Sequence, residues 1–237
     1  MKCSMLNTIA IDSILLHKVD KTQVASCSLR KCLGNIDYVL LEQIHSSNVV
    51  CINSHNEARS LMRSDEDGKI LLSQGDGLIS TVPGLYVFVQ TADCVPVLLA
   101  NKRGEFVCAL HCGWRGVYDG IIGNAYSLLK DFHETIAWIG PSIKQASYAV
   151  DSAYRENFLA LDSEYDKFFA YNNVNRKYYF DLPGIVEHQL RLYGVDDISV
   201  SQEDTYTSNI YPSYRRCSEE NKECAERIIC GVGIISH

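Results

Sequence analysis

The distribution of apolar and polar positions divides this chain into short strands and a few amphipathic helices. Apolar, β-branched runs predict strands at Tyr38–Ile44, Val49–Ile52, Leu85–Gln90, Val97–Ala100 and Phe106–Leu110. Three more follow at Thr135–Ile139, Ile198–Ser201 and Arg227–Ile235. Val117, Ile121, Ile122, Ala125, Leu128 and Leu129 repeat with a 3.6-residue period, which predicts a helix from just after Gly116 to about Lys130. Further helices are predicted at Ser152–Leu161 and Pro183–Tyr193. The latter has Asp181 near its cap, Pro183 in its first turn and Gly194 just past its end. Asn56–Lys69 is polar and mixed in charge, and reads as a surface excursion. Strands grouped in succession do not give a βαβα alternation. The pattern therefore favours an α+β fold, with sheets covered by helices, over a doubly wound parallel sheet. With no internal repeat and no Pro- or Ser-rich linker, residues 1–237 read as one domain.

One hairpin stands out because chemistry sits on both of its arms. Val95–Ala100 and Phe106–Leu110 flank the turn residues Asn101-Lys-Arg-Gly104. A turn centred on Lys102 and Arg103 sets Cys94 directly opposite His111, with Cβ atoms about 4.5–5.5 Å apart. A thiol and an imidazole at that separation suit a shared metal ion or a Cys–His nucleophile. Asp93 and Pro96 interrupt the apolar run around Cys94. A proline in a strand marks an edge or a bulge, where side chains are re-aimed at active sites. Asp93 itself reads equally well as a turn cap, a partner for a ligand histidine, or a general acid.

Composition narrows the function. With 46% hydrophobic and 22% charged residues, the chain is a globular domain rather than a disordered one. A net charge of −7 argues against a nucleic-acid footprint, which needs a basic stripe. A small anion remains open, since a local arginine cluster works inside an acidic protein. The N-terminus does not read as a signal peptide, and no apolar run is long enough to span a membrane. Ten cysteines without an export signal then read as reduced thiols, which predicts a cytoplasmic protein. No CxxC pair supports a redox or four-cysteine zinc site.

None of the seven histidines forms an HxH or HExxH motif. His45 and His111, however, each end a predicted strand before a polar or glycine-rich break. Together with Cys94 they make a set of three ligands that leaves a fourth position open, as in catalytic zinc sites. Gly113-Trp-Arg-Gly116 then leads into the predicted helix and reads as an anion site, or as a plain glycine turn with a solvated arginine. Arg215 and Arg216, beside Tyr211 and Tyr214, offer a second anion or base contact, or simply an exposed basic turn.

Seven segments resemble motifs of the YfiH-like family, whose members have been labelled polyphenol oxidase or laccase-domain proteins and are better described as zinc-dependent purine nucleoside phosphorylases. The segments are QIHSSNVV at 43–50, GDGLIS at 75–80, TADCVPVLL at 91–99, HCGWRG at 111–116, WIGPSI at 138–143, FDL at 180–182 and SYRR at 213–216. The resemblance implies one zinc ion on His45, Cys94 and His111, and an α/β/β/α sandwich with mixed sheets between helices. It also implies phosphorolysis of adenosine, inosine and guanosine, with adenosine deamination and methylthioadenosine phosphorolysis alongside. Asp93 or a zinc-bound water is then a candidate proton donor to the departing base, and the sequence does not choose between them. Gln43, Arg115, Tyr214, Arg215 and Arg216 are candidates for holding nucleoside and phosphate. No nucleic-acid or membrane partner is expected, and the chain is expected to be a monomer or a weak homo-oligomer.

The chain departs from the family pattern in two regions. Residues 1–37 lack the usual Asn-Leu-Gly segment, and Cys217 with Asn221-Lys-Glu-Cys-Ala-Glu226 replaces the usual continuation after SYRR. Tyr206 also stands where a cysteine is expected. Three rival readings follow from the same residues. One is a copper-dependent polyphenol oxidase, against which the isolated histidines argue. The second is a metal-free hydrolase with Cys94 as nucleophile and His111 as base. The third is a degenerate zinc-binding homologue without catalysis.

Overall fold

A computed structural model describes residues 9–10, 16–20, 37–64, 70–129 and 132–234 of the chain. The first strands are β1 (Ile9–Ala10), β2 (Leu16–Asp20), β3 (Asp37–Val39) and β4 (Val49–Ile52). Helix α1 (His55–Leu61) precedes β5 (Met62–Ser64), β6 (Ile70–Leu72), β7 (Gly77–Ser80) and β8 (Leu85–Thr91). Next come β9 (Val95–Asn101), β10 (Val107–Cys112), α2 (Trp114–Tyr118), α3 (Ile121–Leu129) and β11 (Thr135–Ile139). Then follow β12 (Ala149–Val150), α4 (Ser152–Leu161), β13 (Phe169–Asn172) and β14 (Lys177–Phe180). The last elements are α5 (Leu182–Leu192), β15 (Asp197–Val200), α6 (Tyr214–Glu219) and β16 (Glu226–Ile234).

Two mixed sheets make the body. A five-stranded sheet runs β1-β16-β8-β3, with β2 also paired to β16. A six-stranded sheet runs β15-β11-β9-β10-β7-β4, with the β4–β7 and β11–β15 pairs parallel. This is the α+β architecture that the pattern predicts. Alternation along the central strands assigns each face. Leu98, Ala100, Val107 and Ala109 pack with Val87, Val89 and Val232 of the first sheet. Val97, Leu99, Cys108 and Leu110 pack with Ile121, Ile122, Ile185 and Leu190 of the helices. All seven residues of β9 are buried, because both of its faces are covered. Each such large side chain contributes about 1.5–3 kcal/mol by leaving water.

Several boundaries differ from the sequence reading, each for a local reason. The Tyr38–Ile44 strand shrinks to β3, because the chain leaves the sheet to carry Gln43 and His45 towards β7 and β8. The helix predicted to start after Gly116 begins at Trp114 and is two helices. Gly120, at φ +82°, breaks it between Tyr118 and Ile121, a conformation glycine adopts freely. The predicted end at Lys130 lies outside the described residues. The excursion 56–69 holds α1, capped by Ser54, whose hydroxyl accepts from Glu57 N, and then β5; residues 65–69 lie outside the described set. Helices α4 and α5 sit where periodicity and capping placed them. Asp181 caps α5 by accepting from Gly184 N at 3.0 Å. Among the described residues no helix is long and apolar enough to cross a membrane.

Candidate metal centre

The β9–β10 hairpin corrects the expected pairing. Its turn spans four residues, with Asn101 N donating to Phe106 O at 3.1 Å and Gly104 in a left-handed conformation at φ +72°. His111 consequently pairs with Pro96, not Cys94. A shift by two positions leaves the inward face unchanged, since side-chain direction repeats every second residue. His111 is therefore on the face shared with Val107 and Ala109, towards the first sheet. Cys94 lies in the bend between β8 and β9, and that bend brings its sulfur to His111.

His45 arrives from a third direction, on the segment after β3, with φ at +59°. The ligand atoms of His45, Cys94 and His111 all lie within 4.8 Å of one another. Among the described residues they are the one group of three or more ligating side chains gathered in this way. Gly113 closes the cradle. A Cβ there would meet Cys94 Sγ and His45 Cδ2, both at 3.2 Å, and His111 Cε1 at 3.8 Å. The first glycine of the GWRG turn is thus required by its approach to these three side chains. Gly116 lets α2 press onto the His45 segment, since its Cβ would meet Ser46 O at 2.7 Å.

Burial alone would raise the Cys94 thiol, but His111 and then His45 outweigh it and hold the pKa down at about 6. Burial would likewise depress His111. The Cys94 thiolate and the Asp76 carboxylate reverse that and raise it to about 9. A soft thiolate with two imidazoles, one side of the set open to a cavity, is a donor set suited to zinc or copper.

Asp76 is the site residue that sequence reasoning missed. Its carboxylate, 1% exposed, faces the His111 Nδ1 at 2.8 Å and accepts backbone N–H groups from the His45 segment. The signal was present in the GDG of 75–77, where both glycines are required by packing. A Cβ on Gly77 would meet Leu110 and Val49 at 2.8 Å, and one on Gly75 would meet Leu41 at 2.9 Å.

A cavity of about 740 Å³ opens from the ligand set, and Gln43, Asp93, Arg115, Tyr214 and Arg215 also line it. These residues play unequal parts. Gln43 is spent on structure: its amide donates to Gln90 O and accepts from Gln90 N, each at 2.7 Å, pinning the His45 segment to β8. Asp93, at φ +84°, accepts from Thr205 Oγ1 at 2.6 Å, Ser213 Oγ at 3.0 Å and Arg215 N at 2.7 Å. That use is a clasp between the β8–β9 bend and α6, nearest to the turn-cap reading; the carboxylate that partners a histidine of the set is Asp76, not Asp93. Arg216 does not line the cavity. Its guanidinium donates to the carbonyls of Thr205, Tyr206, Ser208 and Tyr211, so it braces the loop before α6.

Arg115 and Arg215 remain available. The Arg115 guanidinium lies 4.8 Å from the Trp114 ring centroid and makes no hydrogen bond or ion pair among the described residues. Arg215 donates to Ala149 O at 2.9 Å and stacks over Tyr148, 5.4 Å from its centroid. Trp114 packs on Tyr154 with centroids 4.5 Å apart, and Tyr214 is 62% exposed. Aromatic faces and two cations therefore share the cavity with the ligand set.

Comparisons with known proteins point the same way. A family model described as multi-copper polyphenol oxidoreductase laccase matches residues 17–229. The chain is 37% identical over 201 residues to a purine nucleoside phosphorylase of Rickettsia prowazekii, covering 84% of this chain and 78% of that one. It is 33% identical over 180 residues to the purine nucleoside phosphorylase YfiH of Escherichia coli, covering 75% and 68%. Among solved structures, YlmD from Geobacillus stearothermophilus superposes with a TM-score of 0.76 at 24% identity, over 92% of this chain and 82% of its own. The YfiH protein of Bacillus licheniformis gives 0.75 at 23% identity, over 87% and 78%.

Proposed function

The chain belongs to the family described as multi-copper polyphenol oxidoreductase laccase, the YfiH-like proteins, and from that premise we propose that it is a zinc-dependent purine nucleoside phosphorylase. The observation that supports this most is the meeting, in one cavity, of a His-Cys-His cradle with two arginines stacked on aromatic rings. The reaction breaks the bond between the ribose anomeric carbon and the purine nitrogen. It forms a carbon–oxygen bond to hydrogen phosphate, and the proton that the phosphate gives up leaves on the base. Adenosine, inosine and guanosine are the substrates, and adenosine deamination and methylthioadenosine phosphorolysis belong to the same reading.

Bound at His45, Cys94 and His111, zinc supplies a Lewis acid at neutral pH. Everything else comes from side chains of this chain. Arg115 and Arg215 hold phosphate against the sugar, and their fixed charges orient the anion for attack on the anomeric carbon. Asp93 fixes Arg215 through its backbone N–H, while the Tyr148 ring keeps the guanidinium turned along the cavity wall. Trp114, Tyr154 and Tyr214 offer flat surfaces for a purine. Gln43 acts at one remove, by holding the segment that carries His45.

The copper-oxidase label fits less well. A His-Cys-His set resembles a mononuclear copper site, but a multicopper oxidase needs further histidine clusters. Among the described residues no second group of three ligands is gathered. The deciding experiment incubates purified, zinc-loaded protein with inosine or adenosine and phosphate, and follows free base and ribose 1-phosphate by chromatography. Both products should accumulate, and only when phosphate is present. No turnover on any purine nucleoside would sink the proposal. Stoichiometric copper in protein purified without added metal, with phenol oxidation, would replace it.

A further inference from the structure

We infer that Asp76 is a positioning residue that sets two of the three metal ligands with one carboxylate; the inference rests on the metal reading above. The carboxylate is buried and collects five hydrogen-bond contacts. Oδ1 faces His111 Nδ1 at 2.8 Å and accepts His45 N at 3.0 Å. Oδ2 accepts Ser46 N at 2.6 Å, Ser46 Oγ at 2.7 Å and Ile44 N at 3.3 Å. Among the described residues no Lys or Arg contributes. The anion is held by N–H and O–H donors together with the imidazole, and although burial would raise its pKa, the His111 contact and then those of Ser46 bring it below the usual carboxylate value.

Two consequences follow for the ligands. A carboxylate can only accept, so His111 donates through Nδ1 and turns its Nε2 lone pair towards Cys94 and His45. The same residue also accepts His111 N at its main-chain oxygen, at 2.7 Å, so ring and backbone are fixed by a single neighbour. On the other side, three consecutive backbone N–H groups, from Ile44 to Ser46, point at the carboxylate. They hold His45 in a left-handed conformation that side chains other than glycine rarely adopt. Because His111 and the His45 segment meet on one oxygen, a displacement of either ligand is felt by the other.

The test uses the full-length protein and two variants. Asp76→Asn keeps the size but puts an NH2 group where one oxygen faced donors. Ser46→Ala removes one hydroxyl donor and leaves the His111 contact in place. Zinc affinity is measured by competition with a chromophoric chelator, and ligand geometry by the absorption spectrum of the cobalt-loaded protein. Thermal melting of the metal-free protein reports folding. D76N is expected to bind zinc about 10- to 100-fold more weakly, with shifted cobalt bands. S46A should lose about 2- to 10-fold. A folded D76N with wild-type affinity and an unchanged cobalt spectrum overturns the inference. Should D76N fail to fold, S46A decides, and wild-type affinity and spectrum there overturn it equally. A wild-type protein that binds neither zinc nor cobalt removes the metal reading itself, and this inference with it.

Discussion

Two buried aspartates, Asp76 and Asp93, line up on opposite duties around one cavity. Asp76 takes five contacts and serves His45 and His111. Asp93 takes three, from Thr205, Ser213 and Arg215, and serves the arginine wall. Each is paired with a strained backbone: His45, held by Asp76, and Asp93 itself both have positive φ. The difference is in what they touch. Asp76 contacts a ligand ring directly, whereas Asp93 reaches Arg215 only through its main chain. On the proposed reading, one carboxylate governs metal affinity and the other governs where a cation is aimed. A cavity built this way can lose one function and keep the other.

Asp93→Ala is the strongest way to break that division. It strands the hydroxyls of Thr205 and Ser213, both 0% exposed, along with Arg215 N. Each stranded donor costs about 1–3 kcal/mol. The variant should melt well below wild type and, through a loosened α6, show a raised KM for phosphate. Metal content should stay stoichiometric, because the Asp93 carboxylate, although next in sequence to Cys94, bonds to Thr205, Ser213 and Arg215 and to none of the three ligand side chains. A D93A protein that folds but purifies without metal would show that the two walls are not separable.

Arg115→Gln tests the arginine wall without disturbing either aspartate. Arg115 has no polar partner among the described residues, so neither melting temperature nor zinc affinity should move. A lost charge-assisted contact to phosphate should raise its KM by about 10-fold or somewhat more. Initial rates across a phosphate series, with nucleoside saturating, measure it. An unchanged KM would take Arg115 out of the phosphate site.

How much of this was legible in the sequence depends on the range of the interactions involved. The strands, α4 and α5 were readable because their signals are local: alternation, a 3.6-residue period, Asp181 at a cap. The gathering of His45, Cys94 and His111 was readable too, since each stands where an apolar run breaks. The hairpin register was misread because Asn101 folds back on itself. Its side chain accepts Arg103 N and its carbonyl accepts Gly104 N, which lengthens the loop. Asp76 escaped notice because its partners lie some thirty residues away on either side, and nothing near it in sequence declares them. Arg216 was credited with a ligand for the same reason. A guanidinium turned onto four loop carbonyls looks, in sequence, like its neighbour Arg215, which lines the cavity.

The smallest expected effect is a pH shift, and it sharpens the comparison most finely. In protein stripped of metal, Cys94 faces two imidazoles and its pKa is held at about 6, while His111 is raised to about 9. Between those values the pair is thiolate and imidazolium, so Cys94 should react with iodoacetamide at pH 7. Its labelling should fall only as the pH drops through about 6. Cys224 and Cys230, raised by burial to about 11 and about 12, should stay unlabelled there. Peptide mapping after a brief pulse identifies the site, and added zinc should protect it. Asp76→Asn removes a carboxylate that raises His111, so less imidazolium is present to stabilise the thiolate, and the Cys94 profile should move to higher pH. Asp93→Ala contacts neither imidazole and should leave the profile where it was. Equal shifts in the two variants would mean that the carboxylates act on the cavity as a whole, not each on its own wall.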